Sequence, residues 1–187
     1  KTIQRAINHI ETKYHLAASR EPYSQSKIRE EISNSNFDVF WSSSNSELEE
    51  LYTPIRINLY KGLLGYRIFI INKNNQEKFD RIKTLDDLKQ ITIGQGKTWA
   101  DGKILESNGF TVIKTNKYEN LFYMVDGNRF DAFARGVHEP FAELEKHKDL
   151  KDLVVKKNIM LVYKIPFYLF VDKNNQKLAR DLELGLN

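Results

Sequence analysis

Helix-like and strand-like hydrophobic patterns alternate along almost the whole chain. The first 60 residues read as helix, strand, helix, strand and helix. The helical segments among them lie at 3–10 and 24–32, and the strand-like segments lie at 14–18 and 37–41. Such alternation is typical of crossover units, so it predicts the α/β class, with mainly parallel sheets flanked by helices.

Local signals mark several helix ends. Thr84 followed three residues later by Asp87 predicts a capping box at the start of a short helix, and Ser44 with Glu47 predicts another. Gly109 stands where a helix commonly ends in a left-handed residue. Further strands are predicted at 65–71, 91–93, 111–114 and 130–134, and further helices at 99–107, 120–126 and 138–147.

Composition removes several functional classes. The 187 residues contain no Cys, which excludes a disulfide scaffold, thiolate metal sites and Cys nucleophiles. The net charge is +4, but the 29 Lys and Arg are interspersed with 25 Asp and Glu, so the pattern does not favour nucleic-acid binding. The longest apolar run, 161–171, is broken by Lys164 and Pro166 and is far shorter than the roughly 20 residues of a membrane span.

The segment Gly96-Lys97-Thr98 ends like a phosphate-binding loop. The first glycine of that loop would stand five residues before Gly96, where this chain has Ile91. A nucleotide triphosphatase is therefore not predicted. Two interpretations stay open, a helix N-terminus that favours an anion and a tight turn between strand and helix.

No catalytic or metal-binding constellation is found. The four histidines share no ligand spacing, and no serine occupies a nucleophile elbow. We therefore predict no catalytic residue, no metal and no cofactor. The histidines are His9, His15, His138 and His147.

Polar and aromatic residues follow three predicted strands. Trp41 and the serines at 42–44 follow one strand, Lys97 a second, and Arg135 with Gly136 a third. In open α/β sheets ligands bind outside the carboxyl ends of the strands. The pattern therefore predicts a binding cleft lined by these residues.

Five segments in order resemble the type II periplasmic binding proteins, specifically the family 3 extracellular solute-binding proteins of ABC transporters. They lie at 38–44, 62–71, 85–110, 127–139 and 168–186. The resemblance implies two α/β lobes that close on a ligand by a hinge. It places lobe 1 at 1–62 plus 176–187 and lobe 2 at 65–173. Relatives have a further strand before the first helix and more helix after Asn187, so lobe 1 is expected to be incomplete in this chain.

The chain departs from the amino-acid-binding relatives at both ends of their ligand clamp. No Lys or Arg lies between Arg29 and Arg56, where those relatives carry the arginine that grips an α-carboxylate. Arg135 and Gly136 stand where they carry an acid for the α-ammonium. The departures predict a polar or anionic solute and not the standard amino-acid clamp, with Arg56 as a possible substitute for the missing arginine.

The combined prediction is a non-enzymatic, monomeric solute-binding protein of the periplasm or cell exterior, with the signal peptide outside this chain. Its partners would be a small solute and the membrane permease of an ABC transporter, with no nucleic acid. The alternatives are a sensing module of a membrane receptor and an enzyme on the same fold, such as a dehydratase. The predicted ligand-binding residues are Trp41, Ser42, Ser43, Ser44, Arg56, Gly96, Lys97, Thr98, Trp99, Arg135 and Gly136.

Overall fold

The computed structural model describes residues 2–19, 23 and 25–187. The chain divides into two compact units. Unit 1 comprises Lys1–Lys61 and Pro166–Asn187, and unit 2 comprises Gly62–Ile165. No helix within the described ranges has the length and hydropathy that crossing a lipid bilayer requires.

Helices and strands alternate through both units. The helices are α1 (Thr2–Asn8), α2 (Gln25–Ser33), α3 (Ser46–Leu51), α4 (Gln76–Asp80), α5 (Leu85–Lys89), α6 (Ala100–Ser107), α7 (Tyr118–Asp126), α8 (Pro140–Lys146) and α9 (Gln176–Leu186). The strands are β1 (Val39–Ser43), β2 (Tyr52–Ile55), β3 (Tyr66–Asn72), β4 (Thr92–Gly96), β5 (Thr111–Thr115), β6 (Ala132–Gly136), β7 (Leu153–Val162) and β8 (Phe167–Asp172).

Unit 1 contains a three-stranded sheet in the order β1-β8-β2, with both pairings antiparallel. Residues of the central strand alternate between two apolar clusters, as the two-residue period of a strand requires. Leu169 and Val171 pack with buried residues of α1 and α9, such as Ala6 and Leu182. Phe170 faces the other cluster, which includes Phe40.

Unit 2 contains a five-stranded sheet in the order β5-β4-β6-β3-β7. Strand β4 runs parallel to β5 and β6, whereas β3 runs antiparallel to β6 and β7. Phe69, Ile93 and Ala132 belong to the core on one face, and Ile70 and Phe133 belong to the core on the other. Helices therefore cover a sheet that is apolar on both faces.

The predicted α/β class with helices flanking sheets is confirmed, but the strand pairing is more mixed than the sequence analysis expects. In unit 1 both strand pairings are antiparallel, and in unit 2 two of the four strand pairings are antiparallel. Hydrophobic periodicity shows which residues face a core, but it carries no information about the direction of the neighbouring strand.

Two predicted boundaries need correction. Residues 166–173 were placed in lobe 2, but β8 pairs with β1 and β2 and belongs to unit 1. Residues 14–18 form no strand, and the Tyr14 hydroxyl donates to Asp181 at 2.6 Å. The predicted first residue of the second helix, residue 24, lies outside the described residues.

The local helix signals are confirmed in two of three cases. Thr84 and Asp87 form the capping box of α5, and Gly109 has a φ of 84°. The box predicted from Ser44 is wrong, because the side chain of Asn45 caps α3 by accepting a hydrogen bond from the Leu48 amide at 2.9 Å.

Candidate functional site

Three parallel strands of unit 2 end at one edge of the sheet. Strand β4 ends at Gly96, β5 at Thr115 and β6 at Gly136. Because β4 is parallel to both neighbours, these ends lie side by side. The six predicted site residues of unit 2 therefore come together at this edge, where α/β sheets bind ligands. They are Gly96, Lys97, Thr98, Trp99, Arg135 and Gly136.

The turn after β4 is built around the ring of Trp99. A Cβ on Gly96 would lie 2.5 Å from this ring, so only glycine leaves room for it. The Trp99 amide donates to the Gly96 carbonyl at 3.1 Å, and the indole stacks on Phe133 with ring centroids 6.2 Å apart. Lys97 and Thr98 are exposed beside the half-buried indole.

Arg135 is buried among carboxylates and aromatic rings. Its Nε lies 3.0 Å from both carboxylate oxygens of Glu143, and its Nη2 donates to Glu143 at 2.6 Å and to Glu139 at 2.7 Å. Burial by itself lowers the pKa of Arg135, but the hydrogen bond that it donates to Glu143 and the negative charges of both glutamates raise the pKa overall. The guanidinium therefore stays charged.

A second buried arginine lies next to the first, and sequence reasoning missed it. Arg67 is paired with Asp101 at 2.5 Å and lies 3.6 Å from Glu139. The hydroxyl of Tyr163 donates to Asp101 at 2.5 Å, and burial followed by the charge of Asp101 raises the pKa of this phenol. The available signal was the position of Arg67 within an apolar strand, in phase with the core residue Phe69.

We call these groups the two-arginine cluster. It holds two guanidinium groups and three carboxylates, so one negative charge is in excess. Glu139 joins its halves, because one of its oxygens faces Arg135 while the other accepts from the Gly136 amide at 2.7 Å and lies near Arg67. The cluster consists of Arg67, Asp101, Arg135, Glu139, Glu143 and Tyr163.

The other five predicted site residues, Trp41, Ser42, Ser43, Ser44 and Arg56, belong to unit 1. Trp41 lies in β1 with 60% of its surface exposed, whereas Ser42 is buried, so strand 37–41 is not buried throughout. Ser44 and Arg56 meet at Glu49, which accepts from the Ser44 hydroxyl and lies 2.5 Å from the guanidinium. The bond from Ser44, followed by that from Arg56, lowers the pKa of Glu49. Glu49 is a further polar group at this position that was not predicted from the sequence.

Two surface pockets of about 230 Å³ each lie away from these residues. Neither pocket contains a predicted site residue. The pocket in unit 2 is lined by Lys78, Arg81, Ile82, Asp87, Gln90 and Ile91, and the pocket in unit 1 by Ile32, Ser35, Phe37, Asp38, Asp172, Asn174 and Asn175. Within the described ranges, no group of three or more His, Asp or Glu side chains is placed to hold a metal ion.

Comparison with solved structures identifies the architecture. Holo ArgBP from T. maritima superposes with a TM-score of 0.69 at 15% identity, covering 99% of this chain and 76% of that one. The amino acid ABC transporter substrate-binding protein AbpA from Streptococcus pneumoniae, bound to L-arginine, gives 0.63 at 15% identity, covering 89% and 68%. The chain has the periplasmic-binding-protein type II fold. The predicted resemblance is thereby confirmed for the fold.

The same fold also occurs in a signalling protein. A histidine kinase sensor domain with similarity to periplasmic binding proteins superposes with a TM-score of 0.65 at 12% identity, covering 87% of this chain and 68% of that one. The three structures named here are thus two binding proteins and a sensor domain. No protein-family model and no curated protein sequence matches the chain.

His147, the residue after α8, connects α8 to α7 through two side-chain contacts. Its Nδ1 lies 2.9 Å from the Glu143 carbonyl oxygen, and its Nε2 lies 2.7 Å from the Glu119 carboxylate. Both partners are acceptors, so the doubly protonated ring satisfies both. Burial lowers the pKa of His147, but these two hydrogen bonds outweigh it and raise the pKa above the ordinary value.

His147 is therefore expected to stabilise the fold mainly at low pH. A raised pKa in the folded state means that its contribution is fully present below about pH 6.5, the ordinary value, and is lost as pH rises through the folded-state pKa. We expect the wild type to exceed His147→Gln in urea midpoint more at about pH 6 than at about pH 9. The exposed His15, replaced by Gln, serves as control. A difference that is constant with pH, or that grows as pH rises, would contradict this assignment.

Proposed function

We propose that the protein is a solute-binding protein that captures a small polar or anionic solute. It presents this solute to the membrane permease of an ABC uptake transporter, in the periplasm or at the cell exterior, without catalysing a reaction. The support is the fold, which it shares with ArgBP and AbpA. AbpA is bound to L-arginine in its crystal structure, so amino acids also belong among the solutes to be tested.

The observation that carries this proposal is the exposed Lys97 at the strand edge of unit 2. Within the described part of the chain its ammonium makes no ion pair, whereas both arginines of the two-arginine cluster are paired with carboxylates. An unpaired cation beside the hydroxyl of Thr98 suits a carboxylate or another anionic group. Lys97 is therefore proposed as the charge that contacts the solute.

Five further predicted residues are proposed for contacts with uncharged parts of the solute. Trp41 and Trp99 would provide flat apolar walls, and the hydroxyls of Ser43, Ser44 and Thr98 would provide hydrogen bonds. Mostly apolar walls with a few placed polar groups are typical of small-molecule sites. Arg56 is proposed as a secondary contact, because Glu49 already neutralises part of its charge.

A thermal-shift screen of the intact protein against amino acids, organic acids, polyamines, sugars and aromatic acids tests the function. A bound solute raises the melting temperature through RT ln(1 + [L]/Kd). We expect stabilisation by one or more acids. No stabilisation by any compound at millimolar concentration would contradict solute binding of this class.

Substitution of Lys97 by Met tests the proposed contact. Loss of a charge-assisted hydrogen bond of about 1.5–3 kcal/mol weakens binding roughly 10- to 100-fold. Calorimetric titration of the acid that gives the largest thermal shift measures this change. Lys151→Met is the matched control, because Lys151 is also exposed but precedes β7, at the edge where β3 ends. Equal affinities for the two variants would contradict a contact from Lys97.

A sensing role is the second candidate, favoured by the likeness to the histidine kinase sensor domain. Both roles require solute binding, so the screen does not separate them. Reconstitution separates the two roles. A solute-binding protein of a transporter stimulates the ATPase activity of its permease, whereas a sensing module changes the activity of a signalling domain. The complete reading frame identifies which of these assays applies.

A further inference from the structure

We infer that Arg135 is a positioning residue, which acts on the proposed solute site by holding the indole of Trp99 in place. This role rests on the proposed function at one point only, because the proposed function makes Trp99 a solute contact. Arg135 and Trp99 both belong to unit 2, so the effect of one on the other can be tested without a solute.

The hydrogen-bonding capacity of the guanidinium is largely used within unit 2. Of its five N–H donors, the one on Nε and the two on Nη2 face Glu139 and Glu143. The planar fork of arginine matches such carboxylates, and lysine would not reproduce it. An incoming anion would meet two carboxylates around a single positive charge, so direct binding of an anion by Arg135 is disfavoured.

The same guanidinium lies near three aromatic rings. Its Cζ lies 5.0 Å from the centroid of Trp99, 5.1 Å from that of Phe133 and 5.6 Å from that of Tyr118. These distances lie within the range of cation–π attraction, which strengthens when the groups are desolvated. The side chain of Arg135 is only 10% exposed, so this condition is met.

The other neighbours of the indole are uncharged. The bare backbone of Gly96 lies against it, and the rings of Phe133 and Tyr118 each lie with their centroids 6.2 Å from it. Glu139 and Glu143 hold Arg135 by accepting its hydrogen bonds. Glu143 is held in turn by the Tyr118 hydroxyl, which donates to it at 2.6 Å. Arg135 is therefore held by carboxylates at a distance from which it attracts the ring of Trp99.

Acrylamide quenching of Trp99 fluorescence tests this role. Trp41→Phe removes the only other tryptophan, so the signal comes from Trp99 alone. In that background, Arg135→Met is expected to raise the quenching constant of the native protein and to broaden the indole N–H resonance of Trp99. A residue that merely stabilised the fold would change the urea midpoint and leave native-state quenching unchanged. An unchanged quenching constant in folded Arg135→Met protein would overturn the inference.

Two further variants keep the test decisive. Arg81→Met is the matched control, because Arg81 is exposed and pairs with Glu77 on the same helical segment, and it should leave quenching unchanged. If Arg135→Met does not fold, Glu143→Gln replaces it, since this change removes one charge that holds the guanidinium. Higher quenching in Glu143→Gln than in Arg81→Met supports the inference, and equal quenching overturns it. Neither result depends on whether a solute is ever found.

Discussion

Replacing Asp101 by alanine is expected to destabilise unit 2 by about 3–5 kcal/mol, the usual cost of removing one partner of a buried ion pair. Arg67 and Asp101 have side chains only 3% and 7% exposed, and their atoms lie 2.5 Å apart. The substitution leaves the Arg67 charge in a site that water hardly reaches. It also removes the acceptor of the Tyr163 hydroxyl. Urea unfolding followed by Trp99 fluorescence, in a Trp41→Phe background, reports the stability of unit 2.

The exposed ion pair between Arg81 and Glu77 provides the matched control. These side chains are 82% and 90% exposed, and their atoms lie 3.7 Å apart. Exposed pairs contribute little, because water and salt screen both charges. Glu77→Ala should therefore leave the unfolding midpoint nearly unchanged. Similar midpoints for Asp101→Ala and Glu77→Ala would show that the Arg67–Asp101 pair does not contribute to stability as its burial indicates.

Phe130→Ala is expected to cost about 3–5 kcal/mol, since a large buried ring is removed and a cavity is left. Phe130 is 2% exposed and packs directly on Gly94 of β4. A Cβ on Gly94 would lie 2.1 Å from the Cζ of this ring, so Gly94→Ala alone should cost about 1–3 kcal/mol through overpacking. The same urea experiment measures both variants.

The double variant separates this packing explanation from a simple glycine effect. In Gly94→Ala with Phe130→Ala, the new methyl group enters space that the ring has vacated, so the combined cost should be less than the sum of the two. Additive costs would mean that the two residues are not coupled. Phe141→Ala is the control for loss of a phenyl ring, because Phe141 is 62% exposed and should lose little stability.

Part of the candidate site was predictable because it depends on strand ends. Hydrophobic runs located β4 and β6 to within a few residues, and the residues just after a strand are where this class of sheet binds ligands. Lys97 and Arg135 are predicted as site residues on that ground. Their role in binding a solute stays a prediction.

The environments of the two tryptophans were not predictable in the same way. Trp41 and Trp99 both stand near the end of a strand, yet Trp41 is 60% exposed and Trp99 packs against the core residue Phe133. Trp41 is exposed although it pairs with the buried Leu169, whereas the rings of Phe133 and Tyr118 lie against Trp99. No pattern within a few residues of either tryptophan records this.

Interactions between residues that are near each other in the sequence could be predicted from the sequence alone. The capping box of Thr84 and Asp87 and the left-handed Gly109 are such cases, since the groups that interact are neighbours along the chain. Apolar periodicity likewise established the α/β class, because it follows from the geometry of a single helix or strand.

The partners of the charged residues were decided only by tertiary structure. Arg67 pairs with Asp101, and Asp101 with Tyr163, across many residues of chain, and folding brings them together when β3, α6 and the end of β7 meet at one sheet edge. Arg135 reads in the sequence as a free cation, but α8 lays Glu139 and Glu143 against it. Whether a charge is already neutralised depends on contacts between separate elements, which neighbouring residues in the sequence do not record.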